Sequence, residues 1–448
     1  MKQGMPIQGE TIAAVATAAG SGAIAVIRVS GADAVGVVAR CTNGKKLPPR
    51  YATLARVRDA RGRVLDEVIA TRFAAPASFT GEEVVELACH GGMLVTRRVL
   101  ERLLECGARP AEAGEFSRRA FENGKMDLTQ AEAIMDIISA GSDLALRAAQ
   151  NQLQGAIRKR VDEIADPLLD VAAHVEAYID FPEEDIAPAS RDQMLARLDA
   201  AAEMLRRLLA TADEGRILRE GIRTAIIGAP NVGKSSLLNM LLGYERAIVS
   251  NTAGTTRDTI EESVTLGGLC LRLTDTAGLH HSKDDIEQAG MERSRRACAT
   301  ADLVLLMADA SAPRCVFDIP ETAPEKRLLV LNKCDLPEHP DWAGEPAIRI
   351  SCRSGAGREE LEKAMADLFL EPGADEDSLA AINLRHRHAL QTAQTYLQQA
   401  RENLLNNESP EFTALELREA LACVRSITGR GDTEDILDRL FSTFCLGK

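Results

Sequence analysis

The run RTAIIGAPNVGKSSLLNMLLG constrains this chain more than any other. An apolar strand leads into GAPNVGKS at residues 228–235, and an apolar helix follows at once, the context that a phosphate-binding P-loop requires. Glycines let backbone N–H groups curl around a phosphate chain, and the helix N-terminus adds positive potential. Lys234 is placed to neutralise the terminal phosphates, and Ser235 to offer its hydroxyl to Mg²⁺. Asn231, Val232, Gly233 and Ser236 complete the phosphate-loop set.

Three further motifs follow in order. SNTAGTT supplies Ser250, Asn251, Thr252, Ala253, Gly254, Thr255 and Thr256, the last as a second Mg²⁺ and γ-phosphate ligand. DTAG (Asp275, Thr276, Ala277, Gly278) follows one strand, and NKCD (Asn332, Lys333, Cys334, Asp335) follows another. The NKCD element selects the base. A carboxylate such as Asp335 accepts from both the ring N–H and the exocyclic amine of guanine, a donor pair that adenine lacks. Asn332 is expected to reach the other edge of the base, and Lys333 to cover its face. SCR (Ser351, Cys352, Arg353) stands where GTPases commonly carry an SA-type loop. The expected substrate is GTP, not ATP.

One residue type is missing. Ras-like GTPases place a water-orienting Gln directly after DTAG; here that position is Leu279. Another group must assist hydrolysis. The segment that follows offers His280, His281, Asp284, Asp285 and Glu287, and spacing alone leaves the choice open.

The 448 residues are about three times a usual domain of ~150. Residues 1–120 alternate strand-like and helical runs, an α+β texture. AIAVIRV and VVELACH read as strands, GGMLVTRRVLERLLECG as a helix closed by Gly107, and the stretch around Arg61 and Gly62 as a hairpin. From 121 to 215 the texture is helical. Thr129 with Glu132 and Ser190 with Gln193 form expected capping boxes. Leu195, Leu198, Ala202, Leu205 and Leu209 line one helical face, and Leu390, Ala393, Leu397, Ala400 and Leu404 another. Two helical halves, 121–215 and 376–448, flank an α/β unit at 216–375. That unit is expected to be an insertion in one discontinuous helical domain, because an isolated helix pair buries too little surface.

Sixty-seven acidic residues against 53 basic ones give a net charge of −14, which disfavours broad electrostatic wrapping of nucleic acid and leaves room for a local basic patch. Aromatics at 3% disfavour a stacking platform. The ten cysteines show no CxxC pair or zinc spacing, and no apolar run approaches the ~20 residues of a membrane helix. A cytoplasmic protein is expected.

Outside the nucleotide motifs, VIRVSG, SFTGEEVVELACHGG, GEFSRRAFENGKMDLTQAEA and the terminal CLGK have no counterpart in a generic GTPase. With the P-loop set they make the whole chain resemble the bacterial tRNA-modification GTPases of the MnmE/TrmE family. The resemblance implies a multidomain α/β and α fold: an N-terminal α+β folate-binding domain, a discontinuous helical domain and an inserted Ras-like P-loop GTPase domain. It also implies a homodimer through the N-terminal domains, and an FAD-dependent MnmG-type partner. Together such proteins add an aminomethyl or carboxymethylaminomethyl group to the wobble uridine of certain tRNAs, using a tetrahydrofolate one-carbon unit (5-formyl- or methylene-tetrahydrofolate).

By the same resemblance Asn231, Ser250, Thr252 and Thr255 would cage K⁺, and Glu287 would orient the attacking water. Arg28, Glu86, Lys125 and Lys448 map to the folate site, and Cys445 to the modification chemistry. Relatives often have a Pro-Pro-Gly version of the first turn, which here reads TAAGSG. A rival reading is a ribosome-assembly GTPase, but such proteins usually append an RNA-binding module such as a KH domain.

Overall fold

The computed structural model describes residues 9–180, 191–244, 262–273, 297–317, 319, 324–369, 382–430, 434–445 and 447. The chain divides into two compact units. One joins the residues up to Ala131 with those from Thr428 onward, and the other spans Glu132–Ile427.

In the first unit, β1 (Ile12–Val15), β2 (Ile24–Ser30), β3 (Thr53–Arg58), β4 (Val64–Phe73), β5 (Val84–His90) and β6 (Arg109–Pro110) form a sheet in the order β3-β4-β5-β2-β1-β6. It is antiparallel except where β6 runs parallel to β1. Alternation along β2 sends Ile27 and Val29 into a core with the helices Ala34–Cys41 and Met93–Glu105. It sends Arg28 to the opposite face, in register with Glu86 of β5. On that face Phe116, from the helix Glu115–Glu122, packs with Ile12 and Ala14. The expected β3–β4 hairpin turns at Asp59, whose carboxylate accepts from the N–H groups of Arg61 and Arg63, both at 2.9 Å.

The last helix, Glu434–Phe441, belongs to this unit. The ring centroids of Phe441 lie 6.5 Å from Phe121 and 5.2 Å from Phe444. Arg118 Nη1 donates to Asp438 Oδ1 at 2.5 Å. The tail packs tightly: at Gly447, with φ +89°, an added Cβ would sit 2.3 Å from the Val15 carbonyl oxygen. Of the expected helical part 376–448, the residues up to Ile427 belong to the second unit and those from Thr428 onward to the first, where Phe441 lies against Phe121.

In the second unit, helices before and after the α/β part share one core. Val161 and Leu168 of Ala156–Asp180, Leu198 and Leu205 of Arg191–Ala210, Leu390 and Leu397 of Leu384–Asn406, and Leu417 and Val424 of Pro410–Ser426 are buried together. The expected stripe on 384–406 packs into this core. The stripe on 191–210 is rotated slightly: Ala201 and Leu208 are buried, whereas Leu195 is only half-buried. The second sheet has the order β12-β11-β10-β7-β9-β8, built from β7 (Ile222–Ile227), β8 (Glu262–Leu266), β9 (Leu269–Leu273), β10 (Leu303–Asp309), β11 (Arg327–Asn332) and β12 (Ile348–Arg349). All neighbours are parallel except the edge strand β8. The run of apolar residues in β7 and β10 fits strands covered on both faces.

The helix Leu128–Ser139 starts two residues earlier than expected. Asp127, not Thr129, caps it: Asp127 Oδ1 accepts from Gln130 N at 3.0 Å, and Gln130 Oε1 accepts from Asp127 N at 3.0 Å. Ser190 lies outside the described residues. Glu132 is thereby free for another contact. Buried in the helical core, it accepts from Arg385 Nε at 2.9 Å and from His386 Nε2 at 2.8 Å. His386 Nδ1 accepts the Asn383 N–H at 3.3 Å. Arg385 also donates to the carbonyls of Ser426 at 3.0 Å and Ile427 at 2.9 Å. This cluster gathers where the chain leaves the α/β part. Beside it Arg219, just before β7, donates to the Ile382 carbonyl at 2.7 Å.

The carboxylate of Asp136, one helical turn beyond Glu132, has no hydrogen-bond partner among the described residues, and burial raises its pKa to about 6. The folded state binds protons there more tightly than the unfolded chain, so the stability it contributes in acid is lost as pH rises towards 6. Asp136→Asn should therefore stabilise the protein at pH 7.5 by about 2 kcal/mol and add little at pH 4.5. Urea midpoints at the two pH values test this; an equal shift at both would contradict it.

Candidate functional site

The C-terminal ends of β7, β10 and β11 bring the P-loop and the base-selecting motif together. Asn231 (φ +64°) bends the loop, and the helix Lys234–Tyr244 starts directly after it. Lys234 Nζ donates to the carbonyls of Gly228 at 2.7 Å and Ala229 at 2.9 Å, and burial lowers its pKa. Ser235 and Ser236 are exposed at the helix N-terminus, where hydroxyls and N–H groups can meet phosphate and its cation.

Asn332 ends β11 and is 3% exposed. Its Nδ2 donates to the Val232 carbonyl at 2.8 Å, and its Oδ1 accepts from Cys352 N at 3.0 Å. Sequence reasoning gave Asn332 a base-edge contact; the structure uses its amide to clamp the phosphate loop to the SCR loop, leaving one N–H free of these two bonds. Gly233 closes the clamp. At φ +105°, a Cβ there would lie 2.2 Å from Asn332 Nδ2.

Asp335 is held from the side, its Oδ1 accepting the Ser351 hydroxyl at 2.7 Å. That bond keeps its carboxyl below the usual range, ionised and ready to accept two donors. Lys333, in the left-handed region at φ +67°, pairs through Nζ with Asp309 Oδ2 at 2.5 Å. Burial alone would raise Asp309, but Lys333 and Ser311 outweigh it and hold the carboxyl low. Asp309 is the site residue that sequence reasoning missed; its signal is an acid closing the apolar strand LVLLMAD, in register with Asn332. Cys334 is half-buried, and its N–H donates to the Ile350 carbonyl at 3.1 Å. The Cys352 thiol is pushed up to about 11 by burial, while Arg353 is exposed. The 250–256 loop, residues 275–278 and Glu287 lie outside the described residues.

A second candidate site lies in the first unit. Arg28 Nε donates to Glu86 Oε1 at 2.9 Å, and the guanidinium stacks 4.8 Å from the Phe79 centroid and 5.6 Å from that of Phe116. Arg28 Nη1 is buried without a hydrogen-bond partner. A buried cationic donor left over is costly, so the site is suited to an acceptor-bearing planar group. Lys125 Nζ donates to the Pro76 carbonyl at 3.0 Å. Cys445 is half-buried in the packed tail; Lys448 lies outside the described residues. Among the described residues no group of three or more His, Cys, Asp or Glu could hold a metal, and no helix is long and apolar enough to cross a membrane.

Known families match both units. The MnmE helical domain model covers residues 128–445, and the model of the GTP-binding protein TrmE N-terminus covers residues 11–125. The tRNA modification GTPase MnmE of Akkermansia muciniphila is 60% identical over 446 residues, spanning 98% of this chain and 99% of that protein. Its counterpart in Geobacter sulfurreducens is 44% identical, over 98% of this chain and 99% of that protein. The one in Opitutus terrae is also 44% identical, over 99% and 100%. With the P-loop, the Asp335 base site and matches along nearly its full length, the chain belongs to the MnmE family of tRNA modification GTPases.

Proposed function

We propose that this GTPase modifies the wobble uridine of certain tRNAs, installing an aminomethyl or carboxymethylaminomethyl group at position 5 together with an FAD-dependent MnmG-type partner. The observation that carries the nucleotide half is the Asn332 clamp, which holds the phosphate loop and the base loops at fixed spacing. GTP would lie with guanine against Asp335 and its phosphates against Lys234. Ser235 and Thr256 would hold Mg²⁺, while Asn231, Ser250, Thr252 and Thr255 would hold K⁺. These cations would offset negative charge developing on the transferred phosphoryl group. Glu287 would orient the attacking water in place of the missing Gln.

The orphan Arg28 N–H beside Glu86 supports a tetrahydrofolate derivative in the first unit, with Lys125 and Lys448 toward its carboxylates. Bound there, the folate would supply the one-carbon unit. Cys445, carried by the tail that packs in the same unit, is the proposed thiol of the modification step. Leu54 and Ile69, cross-strand neighbours 59% and 42% exposed, support a homodimer through the sheet of this unit.

The test is mass spectrometry of tRNA nucleosides from cells lacking the protein, restored with wild type or with Lys234→Ala. The wobble modification should disappear and return only with wild type; unchanged nucleosides in the null strain would reject the tRNA reading. In single-turnover assays, hydrolysis should be faster in KCl than in NaCl and slowed by Glu287→Ala at unchanged nucleotide affinity. Equal rates in the two salts would remove the K⁺ cage.

A further inference from the structure

Charge in this acidic chain is unevenly distributed. Between residues 40 and 63, eight basic residues accompany a single acid, Asp59. They run from the end of the helix Ala34–Cys41 through β3 to the β3–β4 hairpin turn. The helix Met93–Glu105 ties this strip together. Arg102 Nε donates to the Arg58 carbonyl at 2.9 Å, and Arg40 Nε donates to the Cys106 carbonyl at 2.8 Å.

Part of the strip has ordinary structural duties. Arg40 and Arg102 lie in the last turns of their helices, where the dipole favours a cation. Five acids neutralise neighbours: Asp33 pairs with Arg40, Glu67 with Arg56, Asp59 with Arg63, Glu101 with Arg97 and Glu105 with Arg102. Arg50 and Arg58 are held by backbone carbonyls, those of Ala77 at 2.7 Å and Gly62 at 2.8 Å, which leaves Lys45, Lys46, Arg61 and Arg98. All four are exposed, and none has an acidic partner among the described residues. Lys45 and Lys46 follow the helix that carries Arg40. Arg61 is at the hairpin tip, and Arg98 lies one turn before Arg102 on its helix, so the unpaired charges border the same strip.

We propose that the two ends of this strip, beside Lys45 and Lys46 and around Arg61 and Arg98, are the docking surface for the phosphodiester backbone of tRNA, an assignment that rests on the tRNA-modification reading above. A positive ridge on a molecule of net charge −14 attracts a polyanion at one place while the remainder repels it. The four side chains are cationic donors with no acceptor of their own, suited to phosphate oxygens, so they position RNA through its backbone and leave sequence recognition to other contacts.

The test compares the full-length wild type with a variant carrying Lys45→Gln, Lys46→Gln, Arg61→Gln and Arg98→Gln. Fluorescence anisotropy would follow binding to an unmodified tRNA transcript over a KCl series. The variant should bind at least about tenfold more weakly near 0.1 M salt, with a slope of log K against log salt shallower by roughly three, since each phosphate contact contributes about 0.7–0.9. GTP hydrolysis without tRNA should not change. A control with Arg197, Arg206, Arg207 and Arg401 changed to Gln should bind as wild type.

Equal loss in the control would reduce the effect to net charge and overturn the strip. Unchanged tRNA binding by the strip variant, or wild-type binding that ignores salt, would also overturn it; the first result would leave an acidic protein as the partner. Nucleoside analysis separates the two ideas. Normal modification in cells lacking the protein rejects the tRNA reading, whereas lost modification with an unimpaired strip variant rejects the strip alone.

Discussion

Arg385→Ala should lower the stability of the second unit by about 3–5 kcal/mol, a large share of a typical folding free energy. The guanidinium answers both oxygens of Glu132 and two backbone carbonyls, and its removal leaves a carboxylate in the core with only His386 for company. Breaking one side of a buried pair costs more than replacing both sides. Glu132→Leu with Arg385→Met should therefore recover much of the loss. Urea midpoints followed by helical circular dichroism measure both, and a loss below about 1 kcal/mol for Arg385→Ala would show that solvent reaches Glu132.

The same cluster fixes the sign of an acid effect. Burial lowers the His386 pKa despite the neighbouring Glu132. The unfolded chain then binds a proton more readily, so this contribution is full above about pH 6.5 and falls away as pH drops below it. Burial would raise Glu132, but His386 and Arg385 outweigh it and hold the carboxyl well below the usual range. Its share is lost only below about pH 4.5. In His386→Gln the part of the decline between pH 6.5 and 5 should disappear.

Gly233→Ala should weaken GTP and GDP binding at least about thirtyfold. The added methyl would collide with the Asn332 amide from a backbone conformation that only glycine adopts readily. Local strain of about 1–3 kcal/mol and a displaced buried hydrogen bond of about 1–3 kcal/mol together give that range. Titration with a fluorescent guanine nucleotide reads it directly. A change of less than threefold would mean that the loop yields without disturbing Asn332. Asn332→Ala should weaken binding by itself, and the double variant should lose less than the product of the two, because the collision and the clamp share one amide.

Much of this was legible in the residues. The P-loop context, the NKCD Asp and the two helical stripes are short-range patterns whose spacing survives folding, and each lies on the expected element. What escaped depends on partners remote in sequence. Thr129 and Glu132 satisfy a capping pattern, yet Asp127 fills that role because Glu132 is drawn to Arg385, 253 positions away. The Asn332 clamp was not legible, because a motif gives the residue's identity but not the carbonyl of Val232, 100 positions earlier. Asp309 carries no motif of its own, only a strand-end position that sheet register sets beside Asn332.

The first unit is assembled from both sides of the second, and this sets an order of events during synthesis. The residues up to Ala131 leave the ribosome long before Phe441, Phe444 and Gly447 exist to cover Phe121 and the end of β1. At about 5–20 residues per second, the intervening segment takes roughly 15–60 s to translate. During that interval Phe121 and the end of β1 wait for partners not yet made, and they are the surfaces a nascent-chain chaperone would find. The helical bundle is in the same position, since Leu198 and Leu205 precede Leu390 and Leu397 by the whole α/β part. The α/β part alone is continuous enough to close as it emerges, so co-translational folding should begin in the middle of the chain and finish at its two ends together.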